Sequence, residues 1–439
     1  MLRKPAVCVP LACALWISTA LLCAGDADKS AAEWPQWRGP QRDGVSVEKG
    51  LLQHWTAKGP PLDWKTSGVG EGYASVAITD GKIFTMGKRN NTVYVMALSG
   101  DDGHSLWATP VGGSTGDAPS STPTVDGNLV FAVGPQGDIV CVDAAYGKLL
   151  WQKSFTKDFG GSVPQWKYCE SPLVDGDKLI CTPGGKNATL VALNKKTGET
   201  IWKCSVPSGP GSGSGYASTV ISEAAGVKQY VQLMGAGTGC IGVAADDGRF
   251  LWNYPRVGNG TASIPTPIVH DDYVFCSSGY GTGSALLKLS RSGNGVKAEE
   301  VYFLDGNVFQ NHHGGLVLVG DYVYGGHGQN QGFPICVELK TGKIKWGGKM
   351  RGPGQESAAV ACADGQLYFR YQDGTMALIQ ASPKGYKLNG KFNIPQVTGP
   401  SWSHPVVAGG KLYLREQDSL FVYRLTGSKS PASKSTGKK

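Results

Sequence analysis

The sequence predicts an all-β fold of eight repeated, four-stranded antiparallel sheets, and three observations carry that prediction. Glycine supplies 64 of 439 residues, about twice the ~7% of average usage, while apolar residues at helical spacing are hard to find. Tight two-residue turns between apolar runs recur at Asp80-Gly81, Asp126-Gly127, Asp175-Gly176, Ala225-Gly226, Asp271-Asp272, Gly320-Asp321, Asp364-Gly365 and Gly409-Gly410, spaced 44 to 50 residues apart with a mean of 47. In five of these units a turn glycine is followed four residues later by tryptophan: Gly103/Trp107, Gly147/Trp151, Gly198/Trp202, Gly248/Trp252 and Gly342/Trp346. With 41% hydrophobic residues the chain can bury a large core, so its glycine and proline read as turns rather than as disorder.

Taken in order, residues 1–25 read as a secretory signal. Arg3 and Lys4 precede an uncharged apolar run to Gly25, with small residues for cleavage near 24–27. A retained anchor is the alternative, set against Pro10 inside the run. Cys23 raises lipidation, although Leu22 stands where a small residue is expected. Residues 26–61 form an N-terminal arm that includes Trp34-Pro-Gln-Trp-Arg-Gly-Pro40, expected to lie over one face of the ring. Leu62 to Thr66, carrying Trp64, looks like a fourth strand placed before the first full unit. The last unit ends at Leu425 without one, so the N-terminal strand should complete it and close a ring, removing exposed edges. Units five and seven lack the Gly/Trp pair in their outer segments, Ser290 to Phe303 and Ala381 to Ile394. Thr426 to Lys439 holds four lysines and no acids, the composition of a disordered basic tail.

Four strands in about 47 residues is the size of one propeller blade, so residues 62–425 should form an eight-bladed β-propeller. The segments Val191 to Trp202 and Cys336 to Trp346 resemble the AxDxxTGxxxW repeat of the PQQ-type propeller family, the fold of quinoprotein alcohol dehydrogenases. The opening at Trp34 is similar to that of exported bacterial PQQ-like propellers. The resemblance implies that Trp64, Trp107, Trp151, Trp202, Trp252 and Trp346 dock between blades, which suits a flat side chain filling a wedge between sheets.

Composition narrows the function. The formal charge is +8, but without the leader and tail 36 basic residues face 34 acidic ones, so no nucleic-acid footprint is expected. Eight cysteines follow the leader (141, 169, 181, 204, 240, 276, 336 and 362), with no CxxC and no adjacent pair. Cys169 and Cys181 flank a hairpin turn and could form a cross-strand disulfide. The others read as small buried hydrophobes. The glycine-rich stretch Gly209 to Gly215 lacks the lysine and helix of a phosphate loop.

The residues that begin each repeat should converge on one mouth of the central channel. The ligand-binding candidates there are Tyr73, Glu170, Tyr216, His312, His313, Glu356, Trp402 and His404, with Glu170 the candidate metal carboxylate and no catalytic residue assigned. The PQQ-type family includes dehydrogenases that hold PQQ with calcium, an adjacent-cysteine disulfide and an Asp base. Tyr216 and Ser263 stand where the family's Asn and Asp would be sought, and no cofactor is expected. The resemblance then implies a BamB-like, non-catalytic scaffold of outer-membrane assembly, periplasmic or outer-membrane-associated. Its partners would be proteins of the cell envelope, with no transmembrane span after leader removal. A PQQ- or metal-dependent oxidoreductase and a sugar- or small-molecule-binding propeller are the alternatives.

Overall fold

The computed structural model describes residues 33–114, 116–212 and 215–427. The expected leader lies outside them, as does the tail apart from Thr426 and Gly427. Blade 1 is built from Ala77–Thr79, Lys82–Arg89, Thr92–Ser99 and Ser105–Gly113. The same four-strand antiparallel meander recurs at 124–154, 173–204, 220–254, 268–305, 316–347 and 358–393 as blades 2 to 7. In blade 8 the chain itself supplies Val406–Ala408, Lys411–Glu416 and Ser419–Arg424. Leu62–Ser67 adds the outermost strand, antiparallel to the last of these with Trp64 opposite Val422. The ring is therefore closed by the N-terminal strand, as the sequence implies.

Eight buried apolar cores lie one at each blade interface. Val95 and Ala97 of blade 1 pack with Val130 and Val142 of blade 2, and the series runs round to Ile78 and Ile83 of blade 1 against Val406, Tyr413 and Val422 of blade 8. Alternation along each strand produces this arrangement, because successive side chains enter the interfaces on opposite faces of a blade. Blade 4 departs from the expected two-residue turn at Ala225-Gly226, because Ser222 pairs with Gln229 across a longer loop that holds a 3₁₀ turn. The two-residue inner hairpins turn in different ways. Asp80 and Gly81 both take positive φ (48° and 70°), whereas in blades 2 and 3 the aspartate ends the strand and Gly127 or Gly176 (φ 58° and 60°) takes the first turn position.

Trp64, Trp107, Trp151 and Trp202 dock on the neighbouring blade's turn glycine. A Cβ on Gly103, Gly147, Gly198 or Gly248 would lie 2.5, 2.6, 2.9 or 2.4 Å from Trp64, Trp107, Trp151 or Trp202 respectively. These glycines also hold φ of 70–76°, so both the turn and the close indole exclude a side chain. Trp107, Trp151 and Trp346 donate their indole N–H to backbone carbonyls of the next blade, at Ala144, Lys195 and Ser382. Trp252 departs from the pattern. The outer hairpin of blade 5 runs on to a turn at Gly293 that nothing covers, and Trp252 donates instead to Gln229 Oε1 of its own blade (2.7 Å) while packing into the interface core of blades 4 and 5. Tyr302 of blade 5 then takes the docking role, covering Gly342 and donating its hydroxyl to the Leu339 carbonyl (2.6 Å).

The eight described cysteines are free thiols, which corrects the suggested Cys169–Cys181 bridge. The first strand of blade 3 begins only at Leu173, opposite Ile180. Cys169 therefore lies in the entry loop, away from its would-be cross-strand partner.

Candidate functional site: an aromatic cavity on the ring axis

In an antiparallel blade the segment entering the first strand and the loop joining the second and third strands lie at the same end. Contributions from all eight blades at that end enclose a cavity of about 450 Å³, within the range of small-ligand sites. The entry segments supply Tyr73, Ser120, Cys169, Tyr216, Pro265, His313 and His404, and the second-to-third loops supply Tyr280, Gln329, Asn330 and Gln372.

The N-terminal arm forms the opposite wall. The expectation placed it over one face, but it crosses the axis and binds around the ring. Trp34 bridges to Ile78 of blade 1, and the Pro35 carbonyl accepts from Val125 N of blade 2 (2.8 Å). Arg42 donates to the carbonyls of Ser171 (2.7 Å) and Pro172 (3.1 Å) at the entry to blade 3. Trp37 donates to Thr266 Oγ1 at 3.0 Å and stands 4.5 Å, centre to centre, from the His404 ring. Arg38 donates to the carbonyls of Asp43 and Leu316. Val45–Ser46 then adds a short parallel strand to the inner edge of blade 7. Trp37 and Arg38 thus line the cavity from the arm.

Six of the eight candidates, Tyr73, Tyr216, His312, His313, Trp402 and His404, line this cavity. Glu170 and Glu356 do not. Glu170 sits one residue beyond the lining Cys169, and in extended chain one residue reverses the side chain. It is buried, accepting from Thr182 N at 2.6 Å. Glu356 is exposed in a left-handed conformation (φ 63°) and accepts from the Gln372 side chain behind the lining. The second-to-third loop residues, with Trp37, Arg38, Asp117 and Trp166, escaped the sequence reading. The shared end of entry segments and second-to-third loops is the signal that finds Tyr280, Gln329, Asn330 and Gln372.

Burial governs the charge of the wall. Desolvation lowers His312 to about 4. It lowers His404 to about 3, with the nearby Arg38 charge adding to the effect. His313 is driven well below its usual value by burial and then by His312 and His404. All three are neutral at physiological pH. His312 is held between Ser357 Oγ (2.8 Å) and Tyr280 OH (3.0 Å). Asp117 is the one carboxylate of the lining, and among the described residues no group of three or more His, Cys, Asp or Glu side chains could hold a metal ion. Calcium takes six to eight oxygen ligands, so the lining does not fit a calcium-held quinone.

Glu170 gives a pH prediction. Burial, opposed by the Thr182 hydrogen bonds and Arg42, raises its carboxyl to about 7 from 4.5. The folded state then holds the extra proton between these values, so this group's contribution to stability falls as pH rises from about 4.5 to 7. The three histidines act with opposite sign in an overlapping window. The measurement is therefore the urea-unfolding difference between wild type and Glu170→Gln, which should shift in favour of the variant by roughly 1–3 kcal/mol across that window. A pH-independent difference would contradict it.

The family model described as outer membrane protein assembly factor BamB matches residues 89–348. This is more than half of the chain, which belongs to that family. The BamB of Burkholderia pseudomallei (strain K96243) is 27% identical over 296 residues, covering 63% of this chain and 68% of that protein. Among solved structures, BamB from Moraxella catarrhalis superimposes with a TM-score of 0.60 at 14% identity, over 85% of this chain and 100% of that one. Quinohemoprotein alcohol dehydrogenase from Comamonas testosteroni gives 0.64 at 14% identity, over 92% and 83%. At such identities these structures establish the shared fold, an eight-bladed propeller that hosts both kinds of protein.

Proposed function

We propose that this BamB-family propeller is a non-catalytic docking scaffold of the cell envelope, periplasmic or bound at the outer membrane, whose partners are proteins of outer-membrane assembly. The observation that carries the reading is the family match across residues 89–348. The lining supports it, since the donor set does not suit the calcium and quinone of the dehydrogenase relatives. A rigid ring carrying inter-blade loops is suited to presenting protein contacts. No helix of the described residues is long and apolar enough to cross a membrane, so attachment to a membrane would come through a partner or through the N-terminal segment.

The outer strands offer apolar positions that blade packing does not use. Leu106, Leu150 and Ile201, each directly before a docking tryptophan in blades 1 to 3, are exposed. Photo-crosslinking from these three positions in Gram-negative cells, followed by fractionation, tests the reading. The expected result is a discrete adduct in the envelope fraction with an outer-membrane assembly protein. A chain retained in the cytosol, or one that yields no discrete adduct from any position, would count against it.

A further inference from the structure

The described tryptophans that are exposed, Trp166 (51%) and Trp402 (37%), both line the axial cavity. Every other described indole is buried or half-buried, so two exposed ones at one cavity leave apolar ring surface in water where a ligand face would cover it. Trp402 belongs to an arc of rings. It lies 4.8 Å from Tyr73 and 5.2 Å from His313, and the arc continues over 4.5 Å to His312 and 5.1 Å to Tyr280. Its indole N–H donates to Gln372 Oε1 at 2.6 Å, and Gln372 is anchored in turn on Glu356. The platform is thus oriented before any ligand arrives, which lowers the ordering cost of binding.

Beside this platform stand side-chain amides with free donors. Gln329 Oε1 accepts from Tyr280 N (2.6 Å), and Asn330 Oδ1 accepts from Ser357 Oγ (3.1 Å). Each carbonyl is engaged; the Asn330 NH₂ group is left to donate, and the Gln329 NH₂ group, which also bonds the Tyr280 side chain, keeps a second N–H for a ligand. Asp117 is tied to Lys167 at 3.8 Å, and the Arg38 guanidinium donates to two backbone carbonyls. The wall therefore combines flat apolar rings, neutral hydrogen-bond donors and little net charge.

A ligand that satisfies both kinds of group needs apolar C–H faces for the rings and hydroxyl oxygens at its edge for the amides. We infer that the axial cavity is a binding site for a neutral saccharide, stacked on Trp402 and Trp166 and hydrogen-bonded by Gln329 and Asn330. A purely aromatic ligand would leave the amide donors unpaired on desolvation, and a metal ion would find Asp117 as its one carboxylate in the lining. This inference does not rest on the docking function, which the cross-linking experiment tests separately.

The test is tryptophan-fluorescence titration of the full chain with cellobiose, maltose and N,N′-diacetylchitobiose up to tens of millimolar. At least one should give a saturable change. Trp402→Ala and Trp166→Ala should each weaken that affinity roughly three- to tenfold, with the thermal midpoint unchanged in Trp166→Ala, whose side chain is the more exposed of the two. Should a tryptophan variant melt early, Asn330→Ala, which removes an amide donor and leaves both indoles in place, supplies the second readout and should also weaken binding. No saturable response to any of the three sugars overturns the inference. So does a response that persists undiminished in both tryptophan variants and in Asn330→Ala.

Discussion

Glu416→Ala should destabilise the propeller by about 3–5 kcal/mol, measured as a shift in the urea midpoint at unchanged slope. Arg370 of blade 7 and Glu416 of blade 8 meet at 2.8 Å with both side chains 0% exposed. Arg370 also donates to the Ser403 carbonyl (2.8 Å), and Ser401 Oγ donates to Glu416. Close by, Arg415 spends its donors on Thr85 Oγ1 (2.7 Å) and the Gly70 carbonyl (2.6 Å) of blade 1. Removing the carboxylate leaves Arg370 charged, buried and without its counter-ion, beside a second buried guanidinium. That uncompensated charge, rather than the lost attraction, is the main cost. The double variant Arg370→Met/Glu416→Leu should therefore be far less destabilised than Glu416→Ala alone, a coupling that a double-mutant cycle reads directly. The pair also grips the segment 401–404, which carries Trp402 and His404 into the cavity, so Glu416→Ala should shift tryptophan emission before global unfolding. A midpoint shift below about 1 kcal/mol would mean that water reaches Arg370 and that the pair is not sealed.

The repeat was legible because hairpin turns impose a rhythm. Two-residue turns need glycine or aspartate at fixed places, and seven of them, with a longer glycine-bearing turn in blade 4, at near-equal spacing leave few folds that can use them. The incomplete last unit and the stray Trp64 strand were legible for the same reason, since each is half of a recognisable piece. Residues that act through space rather than through rhythm escaped. Tyr302 performs a tryptophan's task without being one, and Trp252 lost its expected dock because the longer outer hairpin of blade 5 carries its turn glycine, Gly293, out of reach. The arm's path across the axis depends on Arg38 and Arg42 finding backbone carbonyls in blades 6 and 3, which no local pattern announces. In the cavity, the entry segments were found, but a one-residue alternation separates Cys169 in the wall from Glu170 behind it. Sequence proximity to a lining position does not fix which way an extended residue faces.

Ring closure leads to the other large effect. A chain that begins at Gly68 loses Leu62–Ser67, the outer strand of blade 8, and should fail to give a soluble, cooperatively melting protein. The strand's indole, Trp64, covers Gly103 of blade 1, and its Asp63 pairs with Lys411 (2.9 Å) and Arg424 (3.4 Å). Loss of a buried tryptophan costs about 3–5 kcal/mol; the truncated chain lacks the buried Trp34, and the missing half-buried Trp64 and strand pairing add to that. Native stabilities are only about 5–15 kcal/mol. Ser419–Arg424 would also become a bare edge, open to pairing with other chains. The structure provides a rescue. Leu62 lies opposite Tyr423 and Ser67 opposite Ser419, so the strand runs as the returning arm of a hairpin from the C-terminal strand. Residues 62–67 grafted through a short turn after Gly427 can re-form the same register from the other end of the chain. The grafted protein should regain solubility and a cooperative melt, at lower stability than the full chain because Trp34, Arg38 and Trp55 are still missing. Equal insolubility of the truncated and grafted chains would show that the arm, rather than the closing strand, is what holds the ring together.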